Sequence, residues 1–82
     1  MASVRGVNYM KNSKVEEYRK KYPFGTKIRL TADLDDPYVP KKTGDIFVVH
    51  YVDDAGQLHG YWESGSSIAV IPEKDKFEIV KD

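Results

Sequence analysis

Short runs of alternating apolar and polar residues fill most of this chain, and each run is closed by a turn signal. Period-two alternation marks a strand with one buried face. Lys27-Ile28-Arg29-Leu30-Thr31-Ala32 alternates cleanly, with Ile28 and Leu30 inward. Residues 44–80 then read as strand, turn, strand, turn, strand, turn, strand, with Gly56 and Gly65 at the bends.

The turns predict the register. Asp54-Ala55-Gly56 suits a three-residue hairpin loop with Gly56 left-handed. It pairs Val52 with Leu58, Tyr51 with His59, His50 with Gly60 and Val48 with Trp62. The next bend is read as Glu63-Ser64-Gly65, which pairs Trp62 with Ser66 and Gly60 with Ile68. A two-residue bend would send Ile68 and Val70 to the face opposite Trp62, because a one-residue slip inverts every side chain. Pro72-Glu73-Lys74-Asp75 turns the chain into a last strand, with Phe77 and Ile79 inward. The predicted core is Ile28, Leu30, Ile46, Val48, Val52, Leu58, Trp62, Ile68, Val70, Phe77 and Ile79. Opposite it lies a row of Phe47, Val49, Tyr51, His59 and Tyr61.

The first third reads differently. Residues 1–11 show no period and are expected to fray. Over 12–22, Ser13 with Glu16 forms a capping box, good helix formers follow, and Val15, Tyr18 and Tyr22 share one face. Pro23 ends the helix. Residues 33–43 form a long loop in which Pro37 and Pro40 forbid a central strand. Five short strands with one long early loop and tight later turns predict a mainly β fold: a small SH3-like five-stranded barrel over 23–82 with a short N-terminal α-helix. An OB-like barrel is the runner-up, but the 63–65 bend leaves no room for its usual helix.

Composition sharpens this picture. Eighty-two residues make one domain. No window is apolar enough for a membrane span, and the N-terminus lacks a signal-peptide core. The absence of cysteine excludes disulfides, cysteine-based zinc sites and a thiol nucleophile. These absences favour a cytoplasmic protein. The formal charge is zero but uneven. Residues 1–31 carry eight basic groups against two acidic ones, a net of +6, and residues 32–82 carry five against eleven, a net of −6. A basic segment can serve as a nucleic-acid arm or can lie against its own acidic partner surface.

Catalytic chemistry finds little footing. The only histidines, His50 and His59, fall on opposite faces in the predicted register, which is poor geometry for a shared metal. His50 is read as partly buried and hydrogen-bonded beside Gly60, which leaves room for its ring. Asp53 and Asp54 suit turn capping. No phosphate-cradling glycine loop is present. Two regions are candidates for partner binding. One is the loop bearing Asp35, Asp36 and Tyr38, and the other is the outer row of Tyr51, His59 and Tyr61. Three coverings compete for that row: the helix face, a second copy in a homodimer, or a protein partner.

Four stretches together resemble a bacterial family of small proteins known as a domain of unknown function, family 4314. They are Tyr22–Leu30, Asp35–Pro40, Tyr51–His59 and Trp62–Pro72. Glu63-Ser64 stands where that family usually has Asp-Asn, and Gly60 where it tends to have a β-branched residue. The resemblance implies a compact barrel in a bacterial, intracellular setting and supplies no catalytic residue. The expected function is a non-enzymatic interaction module without cofactor, binding a protein or peptide partner. The alternative is an accessory nucleic-acid binder acting through the basic N-terminal segment.

Overall fold

The computed structural model describes residues 12–34 and 40–81. Its elements are α1 (Asn12–Lys21), β1 (Lys27–Leu30), β2 (Ile46–Val52), β3 (Leu58–Trp62) and β4 (Phe77–Ile79). The strands form one antiparallel sheet in the order β3-β2-β1-β4. The structure is therefore mainly β with one short helix. Ser13, expected as the N-cap, lies inside α1, which already includes Asn12. Asn and Ser are both good caps, so the sequence permits either start.

The helix ends as Pro23 requires. The Tyr22 N–H makes the last helical bond, to the Tyr18 carbonyl at 2.8 Å. The turn that follows is pinned to the middle of β2. Gly25, at a φ of 89°, donates to the Val49 carbonyl at 2.7 Å, and Val49 donates to the Thr26 carbonyl at 2.8 Å. Val15, Tyr18 and Tyr22 are buried, as their spacing predicts, and the tyrosines join Phe47 and Val49 in the main cluster. The helix thus covers the core and leaves Tyr51 and Tyr61 exposed, and His59 partly so, on the far side of the ribbon.

One residue changes the predicted faces. The ladder between β2 and β3 pairs Val52 with Leu58 and Tyr51 with His59, then shifts at a bulge. Beyond it Val49 faces Gly60, Val48 faces Tyr61 and Phe47 faces Trp62. His50 is the extra residue, so it turns outward while Phe47 and Val49 point inward. The predicted pairs of His50 with Gly60 and Val48 with Trp62 are corrected accordingly. Phe47 and Val49, placed on the outer face by the sequence reading, are fully buried. Ile46 is only half-buried, and Val48 is buried from the outer side between Lys27 and Tyr61. Gly60 makes the shift possible: a Cβ there would collide with the Val48 carbonyl oxygen and crowd the His50 nitrogen. It makes room for backbone, not for the His50 ring.

Both three-residue bends form as predicted. Asp53 and Gln57 close the first, with the Asp53 N–H donating to the Gln57 carbonyl at 3.0 Å. Trp62 and Ser66 close the second, through the Trp62 N–H and the Ser66 carbonyl at 3.0 Å. The predicted fifth strand does not follow. Residues 66–71 form one β-bridge with the sheet, Leu58 with Val70, whose register is that of the predicted bend. Ile68, expected opposite Gly60, spends its backbone groups elsewhere. Its N–H donates to Ser66 Oγ at 3.2 Å, and its carbonyl accepts the Trp62 indole N–H at 3.0 Å. Among the described residues the sheet has four strands and is not closed into a barrel, which corrects the five-stranded closure.

The core centres on Trp62, Phe47, Ile28, Leu30, Leu58, Val49 and Val70. Phe47 meets Trp62 edge to face at 5.0 Å between ring centres, a favoured aromatic geometry. Ile68, Phe77 and Ile79 pack against the cluster while remaining partly exposed.

Candidate functional site

The outer face of the β2–β3 ribbon gathers five rings. The bulge turns His50 outward, and the Gly25–Thr26 bonds to Val49 bring the neighbouring Phe24 beside it. Phe24 stacks on His50 with ring centres 5.3 Å apart, and His50 meets Tyr61 edge-on at 5.4 Å. Farther along, Tyr51 lies flat on its cross-strand partner His59 at 4.8 Å. Phe24, Tyr51 and Tyr61 are the exposed large hydrophobics of the described chain, at 78%, 59% and 46% exposure. Leaving so many rings in water is costly unless something covers them.

The Tyr51 end is held by polar chemistry. Asp53 Oδ1 accepts the N–H groups of Ala55 and Gln57, both at 2.9 Å, which fixes the hairpin turn. Asp53 Oδ2 lies 2.6 Å from His59 Nε2 and orients the ring on which Tyr51 stacks. Burial opposes ionisation of Asp53. The Gln57 N–H, the His59 ring and the Ala55 N–H together outweigh it and hold the carboxyl below the usual aspartate range. From the helix, the Arg19 guanidinium donates to the Val52 carbonyl at 3.2 and 3.1 Å, to Asp54 at 3.1 Å and to Glu16 at 3.0 Å. One side chain thus ties α1 to the end of the ribbon.

The structure brings three predicted residues, Tyr51, His59 and Tyr61, onto one surface. Asp35, Asp36 and Tyr38 lie outside the described residues. Their loop is bracketed by the bridge between Leu34 and Lys41. Lys41 is buried beside that bridge. Its ammonium donates to Ser64 Oγ at 2.9 Å and to the Gly65 carbonyl at 2.7 Å, and sits 5.5 Å above the Trp62 ring. This clamp between the loop base and the 63–65 bend has no signal in the sequence pattern.

Sequence reasoning also missed Phe24 and His50. His50, read as partly buried, is exposed between two rings. The available clue was Gly60, a small residue inside a strand, which often marks a bulge or a close backbone approach. Among the described residues, no group of three or more His, Cys, Asp or Glu is placed to hold a metal ion. A groove of about 300 Å³ is lined by Gly25, Thr26, Lys27, Ile79 and Val80.

The model of one family, described as "Domain of unknown function (DUF4314)", matches residues 11–80. The chain belongs to the DUF4314 family. The DUF4314 match takes in the helix, all four strands and every ring of the outer face. No curated protein and no solved structure matches the chain. Among the described residues, no helix of this DUF4314 member is long and apolar enough to cross a membrane.

Proposed function

We propose that this chain is a non-catalytic interaction module that binds a protein or peptide partner through the outer face of its β2–β3 ribbon, in a bacterial cytoplasm. The single observation that carries the reading is the exposure of Phe24, Tyr51 and Tyr61 on a ribbon whose rings already hold one another in place. Tyrosine and phenylalanine are enriched at protein interfaces, and rings fixed beforehand lose little entropy on binding. In this reading residues 66–71 are the frayed fifth strand of an SH3-like arrangement.

Affinity capture from the native host tests the proposal, with the wild-type chain and a Tyr51→Ala/Tyr61→Ala variant as baits. Both substitutions lie outside the core cluster, so Trp62 fluorescence should be unchanged. Loss of the captured partner supports the reading, and undiminished capture contradicts it. Self-association lost in the same variant would make the partner a second copy. The nucleic-acid alternative rests on the basic first third. Deleting residues 1–21 would strip Val15 and Tyr18 from the core, so its cleaner test replaces the exposed Lys20 and Lys21 with Gln. Salt-dependent binding to generic DNA that falls in that variant would favour it.

A further inference from the structure

The rings of this chain divide by whether a cation lies over them. Lys14 sits 5.2 Å from the Tyr18 ring centre, Lys21 5.6 Å from Tyr22 and Lys41 5.5 Å from Trp62. No described cation lies over Phe24, Tyr51 or Tyr61, although these rings are the most exposed. Carboxylates stand at both ends of the outer row: Asp53, bonded to His59, and Asp54 follow β2, and Glu63 comes two residues after Tyr61. The nearby cations are already engaged. The Lys27 ammonium is 3.6 Å from Glu63, and Arg19 is shared between Asp54 and Glu16. At the edge of the face Asp53, Asp54 and Glu63 outnumber Arg19 and Lys27 by one charge, that of Asp53.

A π face beside a carboxylate is a receptor for a cation, because the ring quadrupole and the negative charge attract the same group. The same field repels phosphate. Resting on the reading of this face as a docking surface, we infer that its partner is an extended basic segment of another protein. Its lysine or arginine side chains lie over Tyr51 and Tyr61 and compete with Arg19 for Asp54 and with Lys27 for Glu63. Arginine suits the site best, since its planar guanidinium stacks on a ring while donating to a carboxylate.

The test is a heteronuclear NMR titration of the full chain with three ten-residue probes, alternating Gly-Arg, Gly-Gln and Gly-Pro, and with a ten-nucleotide thymidine strand. The Gly-Arg peptide should shift the amides of Tyr51, His59 and Tyr61, with affinity that falls as salt is raised. Tyr51→Leu and Tyr61→Leu should each weaken it about two- to fivefold. Full affinity in both variants would mean adsorption by overall charge and overturns the inference. Equal or tighter binding of Gly-Gln or Gly-Pro at the same amides overturns the basic partner while leaving the docking surface standing. Shifts there with the thymidine strand alone overturn it in favour of nucleic acid. Silence of these amides with every probe overturns it too, and the host capture with the double-alanine variant then decides the docking reading separately.

Discussion

Two bends in this chain share one chemistry and end differently. Asp54-Ala55-Gly56 and Glu63-Ser64-Gly65 are both three-residue loops with a left-handed glycine last, at φ values of 79° and 98°. After the first, a ladder runs from Val52–Leu58 down to Phe47–Trp62. After the second, the returning chain makes one bridge and no strand. The difference lies in the side chains just beyond the glycine. Leu58 opens β3 two residues after Gly56, whereas Ser66 takes a φ of 90° and two side chains claim the N–H and carbonyl of Ile68. A loop sets which residues meet, and competition for backbone groups decides whether a ladder grows from it.

The largest expected effect breaks the good ladder. Gly60→Ala places a methyl group against the Val48 carbonyl, and backbone cannot yield as a side-chain tip can. Urea unfolding followed by Trp62 emission should show a loss of about 3 kcal/mol or more. An unchanged midpoint would mean that the bulge is absent in solution. Next, Trp62→Phe removes the indole donor to Ile68 and part of the buried ring. A loss of about 2 kcal/mol is expected by circular dichroism, with faster hydrogen exchange at Val70 than at Val52.

Asp53→Asn weakens the first bend alone and should cost about 1 kcal/mol, as loss of a capping carboxylate does. The pH dependence has a fixed sign. The folded carboxyl is more acidic than the unfolded one, whose ordinary value is 3.8. Its contribution is therefore complete above that value and is lost as pH falls through the lower folded value. Midpoints measured from pH 5 down to pH 2.5 should drop less steeply in Asp53→Asn than in the wild type. The smallest effect sharpens the contrast. Ser66→Gly relieves the positive φ but gives up the weak bond to the Ile68 N–H, for a net gain of about 0.5 kcal/mol in thermal unfolding. A loss instead would assign more weight to the serine bond than to the strain.

The turns were legible because their chemistry is local. Pro23, Gly56, Gly65 and Asp75 act where the sequence places them, and Leu58, Trp62 and Val70 reach the core through the register those turns impose. The bulge was not legible. Residues 46–52, Ile-Phe-Val-Val-His-Tyr-Val, are apolar at both parities, so burying either set looks acceptable until Gly60 and the Gly25–Thr26 turn fix which residue is extra. The site divides the same way. Tyr51, His59 and Tyr61 lie where simple alternation puts them. Phe24 and His50 join them only through the bulge and its pinned turn, which are contacts between distant parts of the chain.

Phe24 and His50 complete the outer aromatic face only if His50 is the residue left over between β2 and β3. Nuclear Overhauser contacts across that ribbon test this most directly. The account predicts backbone contacts of Val48 with Tyr61 and of Phe47 with Trp62, together with ring contacts of His50 to both Phe24 and Tyr61. Backbone contacts of Val48 with Trp62 and of His50 with Gly60, with the Phe47 ring in solvent, would contradict it.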